Sequence, residues 1–222
     1  MSPIAPSTIA FLHTAPVHVA TFDALVAELA EGIRAVHIVD ESLLDDAQRN
    51  GLTDALRGRI AVRVRQAGAA ANVVVCTCST IGAAAEETGR ADGMSVMRVD
   101  RPMAEEAVRL GAWIVVIAAV ESTVRPTTDL LNAVALKCGV ALQLTTVLAR
   151  EAWPLFERGE LDAYAQAIAT RIDAVEGPCD AIVLAQASMG HAAALSVTTI
   201  PVLSSPRLAV RAAAEVLAAL SR

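Results

Sequence analysis

Short apolar runs alternate with longer stretches of mixed polarity along the whole chain. The runs are rich in β-branched residues, which is typical of strands buried on both faces. The predicted strands are Thr8–His13, Ala35–Val39, Asn72–Thr77, Ser95–Val99, Trp113–Ala119, Ala141–Val147, Ala181–Ala185 and Val202–Leu203. Helical patterns lie between them, at Val19–Leu29, Leu52–Ala67, Ala104–Leu110, Thr128–Lys137, Leu161–Val175 and Arg207–Leu220. This alternation predicts an α/β protein with parallel sheets that are covered by helices on both faces.

Two segments about 108 positions apart resemble each other. Residues 72–86 have the sequence NVVVCTCSTIGAAAE, and residues 180–194 have the sequence DAIVLAQASMGHAAA. Both combine an apolar strand, a polar turn with glycine and a helix start made of small residues, and Cys78 falls opposite Gln186. The likeness predicts two similar lobes that face each other. Chance similarity between two strand-to-helix turns in an alanine-rich chain is the alternative.

No low-complexity linker marks a boundary between the predicted lobes. We place the first lobe at residues 1–98 plus 200–222, where it carries Cys78. The second lobe then comprises residues 99–199 and carries Gln186. Each lobe is expected to be a parallel-type sheet flanked by helices.

Composition excludes several classes of function. The 222 residues are 55% hydrophobic but include only three Phe, two Trp and one Tyr, and the net charge is −6. Few aromatic residues and a negative charge argue against nucleic-acid binding. The mean hydropathy of +0.50 is high, yet apolar runs such as 112–120 are shorter than the roughly 18–20 residues of a membrane span. The first residues contain no Lys or Arg, unlike a signal peptide, so we expect a cytoplasmic protein without membrane partners.

The four cysteines are Cys76, Cys78, Cys138 and Cys179. They form no CxxC pair, so neither a structural zinc site nor a disulfide framework is indicated. No Walker loop, GxGxxG motif or zinc-ligand spacing is present either. We therefore expect no metal.

Cys78 is the main candidate for chemistry. It lies where a predicted strand gives way to a helix, and ligands of parallel α/β sheets gather at the carboxyl ends of strands. Unpaired backbone N–H groups and the helix dipole at such a turn favour thiolate over thiol. Ser79 and Thr80, with the following amides, are candidates to hold a substrate carboxylate. The alternative is that Cys78 is a small buried apolar residue.

Other candidates lie at the ends of further strands. His13 ends the first strand and is expected either to contact substrate or to form a simple turn. The pair Asp40–Glu41 ends the second strand, where helix capping is an equal alternative. Arg125 is a candidate partner for a carboxylate or a surface residue. His18 and His37 give no functional signal.

The motifs resemble the aspartate/glutamate/hydantoin racemase superfamily over nearly the whole chain. Cys78-Ser79-Thr80 is similar to the Cys-Asn-Thr that ends a strand in that family. The segment 182–186, IVLAQ, is similar to a second strand of the form I-V-L-G-C. The segment 119–123, AVEST, is similar to a strand followed by G-T-x-x-T, and 201–204, PVLS, to a P-V-L-D pattern.

The resemblance implies a cofactor-independent enzyme with two pseudo-symmetric lobes and an active-site cleft between them. It implies a cysteine on each face of a small carboxylate or amide substrate, where one removes the Cα proton and the other delivers one. It also implies a homo-oligomer. The substrate-binding residues expected from the motifs are His13, Ser79, Thr80, Ser122, Thr123, Gln186, Ala187 and Ser188.

The departures from the family pattern bear directly on the reaction. Gln186 stands in place of the second thiol, and a carboxamide does not exchange protons near neutral pH. Val120 and Ser204 replace a hydroxyl and a carboxylate, respectively. His191 is a candidate second catalytic residue because histidine titrates in the required range, although a solvent-facing histidine at a helix start is the alternative.

Three functions follow as hypotheses. The first is a racemase or isomerase acting at the carbon α to a carboxylate or carbonyl of an amino-acid or hydantoin-type substrate, with Cys78 as acid/base. The second is a single-thiol lyase, such as a decarboxylase of activated malonates, although relatives of that kind keep the thiol of the second lobe. The third is a small-acid binding protein or an enzyme that uses Cys78 for covalent attack.

Overall fold

The structure is a computed structural model that describes residues 7–220. Within these residues the chain forms two compact units. The first unit contains the chain up to Val99 and from Pro206 onward, and the second is Asp100–Ser205. Each unit has one four-stranded parallel sheet flanked by helices, which confirms the predicted α/β class with two lobes.

The sheet of the first unit has the order β2-β1-β3-β4. Its strands are β1 (Thr8–His13), β2 (Arg34–Val39), β3 (Val73–Cys76) and β4 (Val96–Arg98). Its helices are α1 (His18–Leu29), α2 (Ser42–Asn50), α3 (Asp54–Gly68), α4 (Ser79–Asp92) and α9 (Ser205–Leu220). Phe11 and Phe22 belong to the core beneath α1 and α9, whereas Leu12 and Ile60 belong to the core beneath α2, α3 and α4. Both faces are therefore covered, so β1 and β3 consist of buried residues throughout.

The sheet of the second unit has the order β6-β5-β7-β8. Its strands are β5 (Trp113–Ala118), β6 (Gln143–Leu148), β7 (Ala181–Leu184) and β8 (Val202–Ser204). Its helices are α5 (Arg101–Leu110), α6 (Glu121–Cys138), α7 (Trp153–Glu157), α8 (Leu161–Asp173) and a 3-10 helix, Ala187–Ala194. Helices α5 and α6 contact β7 and β5, while Tyr164 and Ile168 of α8 pack on the other face with Met189 of the 3-10 helix.

The two sheets correspond strand by strand. Strand β3 and strand β7 both lie third in their sheets, and both their first and their last residues are 108 positions apart. Leu12 is opposite Cys76 in one sheet, and Ile117 is opposite Leu184 in the other. The sequence repeat therefore corresponds to a topological repeat, with Cys78 and Gln186 at the same position of their units.

The chain returns to the first unit at Pro206, whereas the sequence places this return at residue 200. The physical reason is that Val202–Ser204 forms β8, which pairs with β7 in parallel and completes the second sheet. The terminal helix α9 then packs on the first unit through residues such as Val210 and Leu217.

Among the helices, α6, α2 and α7 show how the structure departs from the sequence prediction. Helix α6 begins at Glu121 rather than Thr128 and includes Pro126. Pro126 is the sixth residue of α6 and has no N–H to donate to the preceding turn, yet the helix continues to Cys138, so a proline here does not mark a helix boundary. Helices α2 and α7 were not predicted, because nine and five residues give too short an apolar pattern.

Candidate active site

Cys78 lies at the turn between β3 and α4. It is the N-cap residue of α4, with φ −108° and ψ 114°, and no side-chain cap hydrogen bond is formed there. Its residue surface is 8% exposed, and it belongs to the buried cluster with Leu12 and Ile81. The extended cap conformation places a thiol beside the first turn of a fourteen-residue helix, where the helix dipole is positive.

Two polar groups follow Cys78: one is hydrogen-bonded within the protein and the other is not. The Ser79 carbonyl accepts a hydrogen bond of 3.4 Å from Nη2 of Arg98, which lies at the end of β4. The hydroxyl of Thr80 is buried and has no hydrogen-bond partner within residues 7–220. A buried hydroxyl without a partner in the first turn of a helix is a group that a bound ligand can satisfy.

Gly82 permits Arg98 to reach this turn. A Cβ atom at Gly82 would lie 2.8 Å from Cβ of Arg98, which is closer than packed carbon atoms approach. Arg98 is 4% exposed, and its backbone N–H donates to Oε1 of the buried Glu86 at 3.2 Å. The sequence analysis did not select Arg98, although its position at a strand end was visible in the pattern.

His13 ends β1 and is fully buried. Its Nδ1 lies 2.8 Å from Oγ1 of Thr77, the residue before Cys78, and its Nε2 lies 2.8 Å from Nδ1 of His37. Burial, with added repulsion from His18 and His37, lowers the pKa of His13 to about 3. His13 is therefore neutral near pH 7, with both ring nitrogens engaged inside the protein.

The hydrogen-bond chain continues to the surface. Nε2 of His37 lies 3.0 Å from Oδ1 of Asp23, whose side chain is 58% exposed. Sequence reasoning missed His37 and Asp23. Their relation to His13 follows from the strand register: β1 and β2 pair in parallel with His13 opposite Val39, so His37 lies two residues back on the same face.

Gln186 occupies the position of Cys78 in the second unit. It is the N-cap residue of the 3-10 helix, with φ −123° and ψ 141°, and it is 8% exposed. Its Oε1 accepts a hydrogen bond of 2.7 Å from the backbone N–H of Ala119, at the end of β5. Its buried Nε2 has no partner among the described residues. The N–H of Ala119 fixes the orientation of the amide, so the group left open is an N–H donor.

The other predicted site residues of this unit differ in whether their hydroxyl groups are hydrogen-bonded within the protein. Thr123 donates its hydroxyl to the Val120 carbonyl at 2.7 Å, whereas the buried Ser122 hydroxyl has no partner within the described part of the chain. Ser188 lies 2.9 Å from the Tyr164 hydroxyl, and burial raises the pKa of Tyr164 above its ordinary value.

Ala187 is buried, and His191 is exposed on the 3-10 helix. In residues 7–220 no cluster of three or more His, Cys, Asp and Glu side chains has the arrangement of a metal site. No helix in the same range combines the length and the apolar character needed to cross a membrane.

The sequence matches no protein-family model, and no curated protein sequence matches it. Solved structures do match the fold. Glutamate racemase from Thermus thermophilus, in complex with beta-chloro-D-alanine, has a TM-score of 0.71 at 18% identity, covering 97% of this chain and 82% of that chain. Aspartate racemase from Picrophilus torridus has a TM-score of 0.70 at 13% identity, covering 96% and 94%. Allantoin racemase from Klebsiella pneumoniae has a TM-score of 0.59 at 13% identity, covering 97% and 89%. The chain thus has the two-lobed fold of the aspartate, glutamate and allantoin racemases.

Proposed function

We propose that this protein is a cofactor-independent enzyme of the racemase type, in which Cys78 exchanges a proton with the carbon α to a carboxylate or carbonyl. The observation that carries the proposal is the position of Cys78, at the carboxyl end of β3 and the N-terminus of α4. A thiol there lies beside the unpaired backbone N–H groups at the start of a helix, and the thiol group is one that can exchange a proton with carbon. The substrate class is a small amino acid or a hydantoin-type amide.

The open polar groups support a carboxylate or carbonyl ligand. The Thr80 hydroxyl, beside Cys78, can donate one hydrogen bond without breaking another. In the second unit, the Ser122 hydroxyl and the Gln186 amide N–H can do the same. Hydrogen-bond donors aimed at a developing enolate oxygen stabilise the charge that forms when a Cα proton leaves.

Gln186 limits which reaction of this type is possible. Its oxygen is held by the Ala119 N–H, and its amide does not release a proton near neutral pH. Inversion of the α carbon therefore requires a donor other than Gln186, and we propose the exposed His191 or a bound water for this role.

The same observation favours a second candidate, a single-thiol lyase that decarboxylates an activated malonate. Loss of CO₂ leaves a carbanion that needs protonation on one face only, so one thiol is sufficient.

Isotope exchange distinguishes these reactions. The protein is incubated in D₂O with a panel of chiral amino acids, hydantoins and hydroxy acids, and with substituted malonates. Deuterium at Cα with loss of optical activity supports the racemase, and CO₂ release with a single-handed product supports the lyase. The absence of both reactions over the whole panel would contradict either enzyme and favour a binding protein.

Two serine variants test the role of Cys78. We expect Cys78→Ser to lose about 10²- to 10⁴-fold in the turnover rate, which is the usual contribution of a positioned acid/base. Cys138→Ser is the matched control, because Cys138 is exposed at the end of α6. Unchanged turnover in Cys78→Ser would exclude Cys78 as the acid/base.

A further inference from the structure

Four side chains of the first unit form one continuous hydrogen-bond chain. It runs from Thr77 through His13 and His37 to Asp23, with successive contacts of 2.8, 2.8 and 3.0 Å. This hydrogen-bond chain begins at the buried Thr77 hydroxyl, passes through the fully buried ring of His13 and ends at the half-exposed carboxylate of Asp23. The residues come from the end of β3, from β1, from β2 and from α1.

The sheet can form without this hydrogen-bond chain, as the second unit shows. By strand pairing, the positions of His13 and His37 correspond to Ala118 and Thr146 in the second unit. The repeat offset of 108 places Ala185 opposite Thr77. The second unit builds the same sheet without a buried histidine, and burying polar groups costs free energy unless every one is paired.

Neutral histidines allow one arrangement of protons along this chain. His37 donates Nε2–H to Asp23, so its Nδ1 must accept from Nε2–H of His13. Nδ1 of His13 then carries a lone pair and must accept from the Thr77 hydroxyl. Every member has a partner, and the hydroxyl points toward His13.

A second proton on His37 reverses the direction. His37 then donates from both nitrogens, to Asp23 and to Nε2 of His13. His13 changes tautomer and donates Nδ1–H to the Thr77 oxygen, and the Thr77 hydroxyl turns to the Leu12 carbonyl, which lies 3.1 Å away. The net change is one proton taken from solvent onto His37, and His13 stays neutral in both arrangements.

We propose that Asp23, His37 and His13 are positioning residues that set the Thr77 hydroxyl, next to Cys78, in one of two orientations according to the protonation of His37. The functional consequence rests on the proposed role of Cys78. The Leu12 carbonyl already accepts from the Thr77 N–H at 2.9 Å, so the second arrangement ties the turn before Cys78 by one more bond. The reactivity of the Cys78 thiol therefore responds to a proton taken up near the surface.

The electrostatic surroundings agree with this assignment. Two titratable residues of α1 contact the two rings: Asp23 contacts His37, and the His18 ring lies 6.1 Å from that of His13. The rings of His13 and His37 face each other at a centroid distance of 5.1 Å. Burial lowers the pKa of His18 to about 4, so it is neutral in the pH range of interest. The low pKa of His13 has the same effect, and His37 is the ring whose Nε2 lies 3.0 Å from the Asp23 carboxylate.

Imidazole ¹⁵N NMR of the whole protein tests the proposal without any substrate. We expect the protonated nitrogen of His13 to change from Nε2 to Nδ1 at the midpoint of the His37 titration. In Asp23→Asn the midpoint of the His37 titration should move to lower pH, and the tautomer change of His13 should move to the same lower pH. Asp45→Asn, at an exposed carboxylate of α2, is the matched control and should leave both unchanged. A His13 tautomer that stays fixed while His37 titrates would overturn the proposal.

Alkylation of Cys78 by iodoacetamide, followed peptide by peptide with mass spectrometry, tests the link to the thiol. The rate should change by about two- to tenfold at the His37 midpoint, the effect expected of one hydrogen bond. Asp23→Asn should move this step to lower pH, and His37→Gln should remove it. A Cys78 rate profile that is identical in wild type and His37→Gln would overturn the link. Both readouts are independent of turnover, so failure to find Cα exchange or CO₂ release would count against the proposed function alone.

Discussion

The two units use one sheet topology for two different polar interiors. In the first unit, Thr77 and Cys78 follow β3, and His13 is buried at the end of the neighbouring strand. In the second unit the corresponding turn carries Gln186, whose side chain satisfies the backbone N–H of Ala119. The backbone at the two cap positions is extended in both cases. The comparison teaches that the fold specifies the position of the turn and leaves its chemistry to the side chains.

The largest expected difference between the units is their response to acid. His13 and His18 have pKa values lowered to about 3 and about 4 from 6.5, chiefly by burial. Because the unfolded chain binds these protons more readily, their contribution is complete above about pH 6.5 and decreases as the pH falls. Between about pH 6.5 and its own lowered pKa, each histidine lowers the unfolding free energy by about 1.4 kcal/mol for every unit by which the pH falls.

Amide hydrogen exchange between pH 7 and pH 4.5 checks this expectation. Protection factors of β1, corrected for the intrinsic rate, should fall more steeply than those of β5. In His18→Gln the fall should be shallower by about 1.4 kcal/mol per pH unit. An equal fall of the protection factors in β1 and β5 would show that the buried histidines of the first unit do not cause the loss of stability.

The next effect concerns the amide that replaces a thiol. Gln186→Met keeps the side-chain length but leaves the Ala119 N–H unpaired. We expect a loss of about 1–3 kcal/mol in unfolding free energy, the cost of an unsatisfied buried donor. Gln166→Met, at an exposed position of α8, should change the stability by less than about 0.5 kcal/mol. Denaturant unfolding measures both, and equal stability of Gln186→Met and wild type would show that the Ala119 bond contributes nothing.

A substitution where α4 lies close to β4 is expected to change the unfolding free energy by a similar or smaller amount. A methyl group at Gly82 would meet Cβ of Arg98 at 2.8 Å, so Gly82→Ala should cost about 1–3 kcal/mol through overpacking. Gly58→Ala adds its methyl group in open space in the interior of α3 and should stabilise the protein by about 0.5–1 kcal/mol. Opposite signs for the two substitutions are the result to look for in thermal unfolding, and a stabilised Gly82→Ala would refute the contact.

The smallest effect compares two hydroxyl groups at equivalent positions. Ser188 is hydrogen-bonded to Tyr164, whereas Thr80 has no partner in the described residues. Ser188→Ala should cost about 0.5–1.5 kcal/mol, and Thr80→Val should be neutral or slightly stabilising. A double-mutant cycle with Tyr164→Phe isolates the Ser188 bond. Additive effects of Ser188→Ala and Tyr164→Phe would show that the bond has no net value.

Much of the fold followed from the pattern of apolar residues. Strand β1 begins at Thr8 and ends at His13 as predicted, because a run of buried residues bounded by polar ones defines its own limits. The register of the repeat, with Cys78 opposite Gln186, also followed from the sequence and agrees with the topology. The return of the chain to the first unit did not, since the sequence predicts a strand at Val202–Leu203 but not that this strand pairs with β7.

The candidate site was predictable only in part. The turn that carries Cys78 was found because strand ends in parallel sheets collect functional groups. His37 and Asp23 were missed, since their relation to His13 depends on the pairing of β2 with β1 and on the helix that covers them. Arg98 was missed for the same reason, because its contact with Ser79 depends on how closely α4 lies against β4.

The sequence by itself determined the α/β class, the two lobes and the turn that carries Cys78, because local periodicity and a repeat of strand and helix contain this information. The tertiary structure decided which side chains are used within the protein and which are left open. Gln186 is held through its oxygen and His13 through both nitrogens, while the Thr80 hydroxyl is left without a partner. Such pairing depends on the register between strands that are distant in the sequence, and no local pattern encodes that register.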